Sequence, residues 1–173
     1  RQWAHEQYAN IAKQKSLDDA FTQLKTFRIL CAVKDGNQGV DHINETIVKL
    51  LNRNLQPFFK GQPIMVTQNH YGLKLYNGDI GLIWPDDDGQ LLAWFEAERE
   101  PRAVALGRLP AIETVYAMTI HKTQGSEFEN VVMVLPNTST ALSTRELLYT
   151  GLTRAKKQFT YIGEEQSWRN GVH

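Results

Sequence analysis

Between Phe58 and Glu113 the chain changes its repeat, and that change limits the folds open to it. Apolar runs of strand length lie here: Gln62-Pro-Ile-Met-Val-Thr67, Asp79-Ile-Gly-Leu-Ile-Trp84, Leu91-Leu-Ala-Trp-Phe95 and Arg102-Ala-Val-Ala-Leu106. Asn77-Gly78 and Asp88-Gly89 fall between them, and such pairs tolerate the positive φ of tight turns. No long helical stripe occurs. Short strands at roughly ten-residue spacing predict a small barrel or meander.

On either side the repeat differs. Trp3, Tyr8, Ile11, Ala12, Ala20, Phe21 and Leu24 recur at helical spacing, with a break or cap near Ser16-Leu-Asp-Asp19. Phe27 to Val33 is an apolar run of strand length, and Lys34 to Gly39 is a turn. Val40, Ile43, Ile47, Leu50 and Leu51 then form a helical stripe that ends before Pro57. Strand, turn and helix make half of a βαβ unit, which points to a parallel sheet. After the insert the pattern resumes. Val115 to Thr119 and Val131 to Leu135 read as central strands, Thr144 to Ala155 as a helix, and Gln158 to Ile162 as a last strand. Glu164 to Arg169 starts another helix. The reading is an α/β chain in three parts, 1–57, 58–113 and 114–173, with the middle part inserted.

Composition narrows the function. The 173 residues carry 19 basic and 19 acidic side chains, a net charge of zero. That balance argues against attraction of nucleic acid over the whole surface, but leaves room for a local groove. Cys31 is the only cysteine, so no internal disulfide forms. It sits in an apolar run and reads as a buried strand residue, which fits a reducing, cytoplasmic setting. No window has the length of a membrane span and no signal peptide is visible. The first residue is Arg1 rather than Met, which suggests a fragment or a processed piece. One Cys and five scattered His give no zinc spacing. Asp86-Asp-Asp88 lacks the calcium-loop pattern and reads as a solvated turn.

Three polar segments can carry chemistry. The first is Met118-Thr-Ile-His-Lys-Thr-Gln-Gly-Ser-Glu-Phe128, set between two apolar runs. Gly125 permits close backbone approach. Ser126 followed by Glu129 fits a capping box, and exposed N–H groups of such a turn beside His121 and Lys122 suit a phosphate. The alternative is a capped loop that binds nothing. The second segment holds Arg154, on one helical line with Leu147, Gly151 and Gln158. An arginine bordering an apolar line wants an anion or a set of carbonyls. An anion there is either a phosphate or one of Glu146, Glu164 and Glu165. The third is the rim of the insert, where His70, Tyr71 and Tyr76 either stack on bases or pack as hairpin ends. The chain holds no Gly-x-x-x-x-Gly-Lys-[Ser/Thr] phosphate loop.

Taken together, these segments resemble superfamily 1 helicases of the RecD branch. Tyr116-Ala-Met-Thr-Ile-His-Lys-Thr-Gln-Gly-Ser-Glu-Phe128 is similar to the fifth helicase motif, and Arg145-Glu-Leu-Leu-Tyr-Thr-Gly-Leu-Thr-Arg-Ala155 to the sixth. Gln62 to Asn69 with Asn77-Gly-Asp-Ile-Gly81 resembles the start of an SH3-like insert. Ile29 to Asn44 resembles the region of the fourth motif. The resemblance implies a second RecA-like motor domain, a parallel sheet with flanking helices, that carries a small SH3-like β-barrel. It implies an arginine finger at Arg154 and contacts near the nucleotide from Gly125 and Glu127. It places Thr119, His121 and Lys122 on single-stranded DNA, along with Asn69, His70 and Tyr71. ATP and Mg²⁺ would be bound mainly by a domain upstream of Arg1, so the isolated chain would not hydrolyse ATP. The implied work is 5′→3′ DNA unwinding in double-strand-break repair, beside RecB-like and RecC-like subunits. Two other readings remain at this point: a non-catalytic binding module, or a stand-alone helicase of the same branch.

Overall fold

The computed structural model describes residues 2–31, 39–52, 54, 56–119, 128–134, 149 and 152–162. Two compact units arise. One comprises residues 1–22 and 49–115, the other residues 23–48 and 116–173.

The first unit opens with two helices, α1 (Gln2–Ala12) and α2 (Leu17–Lys25), the second of which runs on into the other unit. The predicted break is real. The Ser16 hydroxyl accepts from the Asp19 N–H at 3.2 Å and the Ser16 carbonyl accepts from Ala20 N–H, so Ser16 caps α2. Asp18 and Asp19 then lie in the first turn and Lys25 in the last, matching the helix dipole.

The rest of this unit is a five-stranded antiparallel sheet. Its strands are β2 (Pro63–Val66), β3 (Ile80–Pro85), β4 (Leu91–Phe95), β5 (Arg102–Val104) and β6 (Ile112–Thr114). Their order is β5-β4-β3-β2-β6, which leaves β5 and β6 as edges. Sequence reading missed β6, since three residues are too few to show alternation. Ile64, Val66, Leu75, Ile83, Ala93, Phe95 and Val104 form the core. Burial of each large aliphatic chain is worth about 1.5–3 kcal/mol. The β3–β4 turn is built by Asp86, whose carboxylate accepts from the N–H groups of Asp88 and Gln90, both at 2.9 Å. That use of the carboxylate accounts for Asp86, the first residue of the acidic run. No cluster of three metal-binding side chains occurs among the described residues.

The second unit contains a four-stranded sheet in the order β7-β1-β8-β9. The strands are β1 (Phe27–Cys31), β7 (Ala117–Thr119), β8 (Phe128–Val134) and β9 (Ala155–Ile162), and every pairing is parallel. All five residues of β1 are buried, as expected of an interior strand covered on both faces. Helix α3 (Val40–Leu51) follows β1, and of the predicted stripe Val40 and Ile47 are buried, whereas Leu50 is 45% exposed. Residues 149 and 152–154 are helical, but Ala155 already belongs to β9, three residues earlier than the apolar run suggests. Its pairing with Phe128, next to a register shift, recruits it to the sheet. The predicted helix at Glu164 to Arg169 lies outside the described residues. Among the described residues no helix is long and apolar enough to cross a membrane.

Two positions give direct tests. Gly61 has φ +84, and a Cβ there would lie 2.9 Å from the backbone of Ala12. Gly78 has φ +100 but faces open space. Gly78→Ala is expected to cost only the left-handed backbone penalty, about 1–2 kcal/mol. Gly61→Ala is expected to cost roughly 1–3 kcal/mol more through overpacking. Denaturant unfolding of the two variants checks this, and equal losses would refute the close approach. Burial also pushes the Cys31 thiol from 9.0 up to about 12. The folded state therefore favours the neutral thiol. That stabilisation is complete below the unfolded thiol's value of 9.0 and is lost as pH rises from there toward about 12. Stability is expected to fall by up to about 1.4 kcal/mol per pH unit in that window from this group alone. Cys31→Ala should show a flatter profile of unfolding midpoint against pH.

Candidate functional site

The register of the parallel sheet fixes where its polar segments begin and end. Thr119 is the last residue of β7 and pairs with Cys31, the last residue of β1. Cys31 also pairs with Val134 at the far end of β8. Phe128, where β8 begins, lies at the opposite end, because Asn130 is the partner of Phe27. The segment from Thr119 to Phe128 thus joins opposite ends of one sheet. His121, Lys122, Gly125 and Glu127 lie within it, outside the described residues.

Arg154 sits at the Phe128 end. It is half-buried and immediately precedes Ala155, the register partner of Phe128. Thr119 and Arg154 are therefore held at opposite ends of the sheet.

Two side chains that sequence reading passed over secure this frame. Arg28 is 1% exposed, and its guanidinium carbon lies 5.0 Å from the centroid of the Phe128 ring. A cation over an aromatic face in a dry setting is worth about 2 kcal/mol. It anchors the start of β8. Its signal was the single charge within the apolar run Phe27 to Cys31. Asn44 acts on β7, at Ala117, which is level with Ile29 in the middle of β1. Its Nδ2 donates to the Ala117 carbonyl at 3.0 Å, and its Oδ1 accepts from the Ala117 N–H at 2.7 Å. Among the described strands β7 is an edge, and the Asn44 amide takes both backbone groups of Ala117 on that side. Asn44 stands four residues after Val40 and three before Ile47, on the buried line of α3. A polar residue on that line was the legible clue.

The rim of the antiparallel sheet is built as a closed tip. Val66 donates to Asp79 and accepts from Gly78, both at 2.8 Å, which closes its base. His70 exchanges backbone bonds with Leu75, and between them lies a 3₁₀ turn at Tyr71–Leu73. The His70 Nδ1 accepts from the Leu73 N–H at 3.0 Å, so its ring serves as a cap. The Asn69 Oδ1 accepts from the Asn77 N–H at 2.8 Å. Lys74 follows in the left-handed region at φ 53, which costs a side-chain-bearing residue roughly 1–2 kcal/mol. The tip presents Tyr71, 74% exposed, and Tyr76, 44% exposed, with ring centroids 6.0 Å apart at 64°. Asn69, His70 and Tyr71 are thus brought together. Tyr71 offers a face to solvent, and the other two shape the loop beneath it.

Residues 114–160 match the UvrD-like helicase C-terminal domain. The RecBCD enzyme subunit RecD of Mycobacterium tuberculosis is 41% identical over 160 residues, 90% of this chain and 28% of that protein. The RecD subunit of Haemophilus influenzae is 40% identical over 157 residues, 87% of this chain and 23% of that protein. The chain belongs to the RecD family. It spans about a quarter of the length of the curated relatives it matches. A structure of Pif1 helicase from Bacteroides, in complex with ADP-AlF3 and ssDNA, superposes with a TM-score of 0.54 at 16% identity. It covers 92% of this chain and 49% of that one. At that identity the likeness concerns the fold, and with the parallel sheet it fits a RecA-like domain.

The RecD-family sheet makes Asn44 testable. Asn44→Ala leaves the Ala117 N–H and carbonyl without their bonds, and each such loss costs about 1–3 kcal/mol where water is excluded. Asn44→Asp keeps the acceptor but turns a carboxylate toward the Ala117 carbonyl. Both variants are expected to unfold earlier, with amide exchange rising first in 117–119. Protection there equal to that of the unmodified protein would refute the clamp.

Proposed function

We propose that the chain is the second motor domain of an ATP-dependent 5′→3′ DNA helicase subunit. The observation that carries this is the helicase C-terminal domain match over 114–160, which takes in both polar segments of the parallel sheet. The 41% identity to a RecD subunit extends the likeness over 90% of the chain.

On this reading Arg154 is the arginine finger. A transferred phosphoryl group spreads charge over its oxygens, and catalysis consists of positioning and charge stabilisation. A guanidinium held half-buried at the start of β9 is placed by the sheet rather than by a free side chain. Gly125 and Glu127 serve the nucleotide, while Thr119, His121 and Lys122 serve single-stranded DNA, so that one stretch of sequence meets both ligands. ATP and Mg²⁺ are held mainly by another domain, which supplies the phosphate loop and the metal-binding acid. Here Arg154 is the fitting group, a cation for the γ-phosphate. Residues 58–113 form the SH3-like insert, and its tip at Asn69, His70 and Tyr71 touches the strand. The setting is cytoplasmic double-strand-break repair and recombination, with RecB-like and RecC-like partners. The 173 residues lack a phosphate loop and are inactive alone.

The test uses the intact subunit and single-strand-stimulated ATP hydrolysis. Arg154→Ala is expected to lower the rate by about 10³-fold or more, with circular dichroism unchanged. Arg154→Lys should recover little, because a point charge does not replace the planar fork. Unchanged hydrolysis would remove the finger role and shift the function toward a binding module presented by the exposed tip.

A further inference from the structure

The exposed tyrosine tip depends on a residue from a distant strand. Arg102 begins β5, and its Nη1 donates to the Leu73 carbonyl at 2.5 Å while its Nη2 donates to the Lys74 carbonyl at 2.6 Å. These carbonyls belong to the peptides that enter and leave the left-handed Lys74. Lys74 N–H in turn donates to the Tyr71 carbonyl at 3.1 Å, which closes the 3₁₀ turn. Arg102 itself is held in register, paired with Phe95 across the sheet. A planar fork suits this task, since its two donors reach adjacent carbonyls together.

We infer that Arg102 is a positioning residue, which preorganises the Tyr71–Tyr76 pair as a stacking platform for an unpaired nucleobase. The inference rests on the proposed reading that this tip meets single-stranded DNA. The chemistry of the tip favours a base over a phosphate. Tyr71 turns most of its ring to solvent, whereas the described Arg102 donors are spent on backbone carbonyls. Stacking needs an open π-face and tolerates any base. A loop already held in its bound shape loses less freedom on binding, which slows release. Arg102 acts through the loop and does not itself touch the strand.

The experiment is a double-mutant cycle in the intact subunit: Tyr71→Ala, Arg102→Ala, and both. Release of a 2-aminopurine-labelled oligodeoxythymidine is followed by fluorescence at several salt concentrations. Tyr71→Ala is expected to speed release about tenfold and to reduce quenching of the probe. Arg102→Ala is expected to speed release several-fold, with faster amide exchange in residues 70–79 of the free protein. The double variant should release no faster than Tyr71→Ala alone, because Arg102 works only through the ring. The salt slope should stay unchanged for Arg102→Ala, whereas loss of a direct phosphate contact would lower it by about one. Additive effects, a lowered slope, or undisturbed exchange in 70–79 would each overturn the inference. Should Arg102→Ala unfold the sheet, Arg102→Lys serves the same cycle, with a single ammonium in place of the two-pronged fork. Unchanged release and quenching in Tyr71→Ala would instead defeat the underlying reading of the tip as a DNA contact.

Discussion

The parallel sheet depends on β1. Its neighbours come from far along the chain, since Ile29 pairs with both Ala117 and Val132. Between β1 and β7 runs the whole antiparallel sheet, and the loop so formed must close before the pairing can stabilise anything. Closure entropy rises only with the logarithm of loop length, about 0.6 kcal/mol per doubling. More decisive is that the insert closes its own base. Val115 N–H donates to the Pro63 carbonyl at 2.9 Å, and Gln62 Nε2 donates to the Thr114 hydroxyl at 2.9 Å. Entry and exit therefore lie side by side, and β7 starts two residues beyond that clasp. A self-closed insert costs the parallel sheet little more than a short loop would.

Much of this was written in local pattern. The capping Ser16, the stripe of α3, the run of β4 and the burial of Cys31 all follow from period and composition. What escaped the sequence has a common cause. Asn44, Arg28 and Arg102 each act on a partner from a distant segment, and no local period encodes which one. The tip was legible as a polar, aromatic rim, yet the division of labour within it was not. His70 reads as either a stacking ring or a hairpin end, and composition does not show that its Nδ1 accepts from the Leu73 N–H. Asn77-Gly78 reads as a simple hairpin turn. The fold keeps that turn, closed by the Asp79 N–H on the Tyr76 carbonyl at 2.9 Å, and adds what the pattern did not show: the Gly78 N–H also bonds the Val66 carbonyl at the base of a longer excursion. Contacts made across the chain decide these matters.

Backbone geometry explains how the insert stays thin enough to carry such a tip. Gly81 pairs with Phe95, and a Cβ at Gly81 would come within 2.7 Å of that ring. The Phe95 ring therefore lies over a bare backbone, covering the weak point that a glycine makes in a strand. Arg102 pairs with Phe95 from the other side. The ring that covers Gly81 and the guanidinium that holds Lys74 are thus neighbours on adjacent strands. A small core and a rigid loop are built from the same few residues.

On the proposed reading, neutrality of the chain is a functional property. A grip made of phosphate contacts strengthens with every cation and weakens steeply with salt. A motor has to release its strand at each step and must accept every sequence. Stacking on tyrosine meets both demands, since each base has a π-face and the gain per base is only about 1–3 kcal/mol. Nineteen cations balanced by nineteen anions leave little background attraction to hold the strand between steps. The positive charge that matters is then local and placed. Arg28 is buried against Phe128, Arg102 is spent on carbonyls, and Arg154 stands at the end of the sheet where the long polar segment returns.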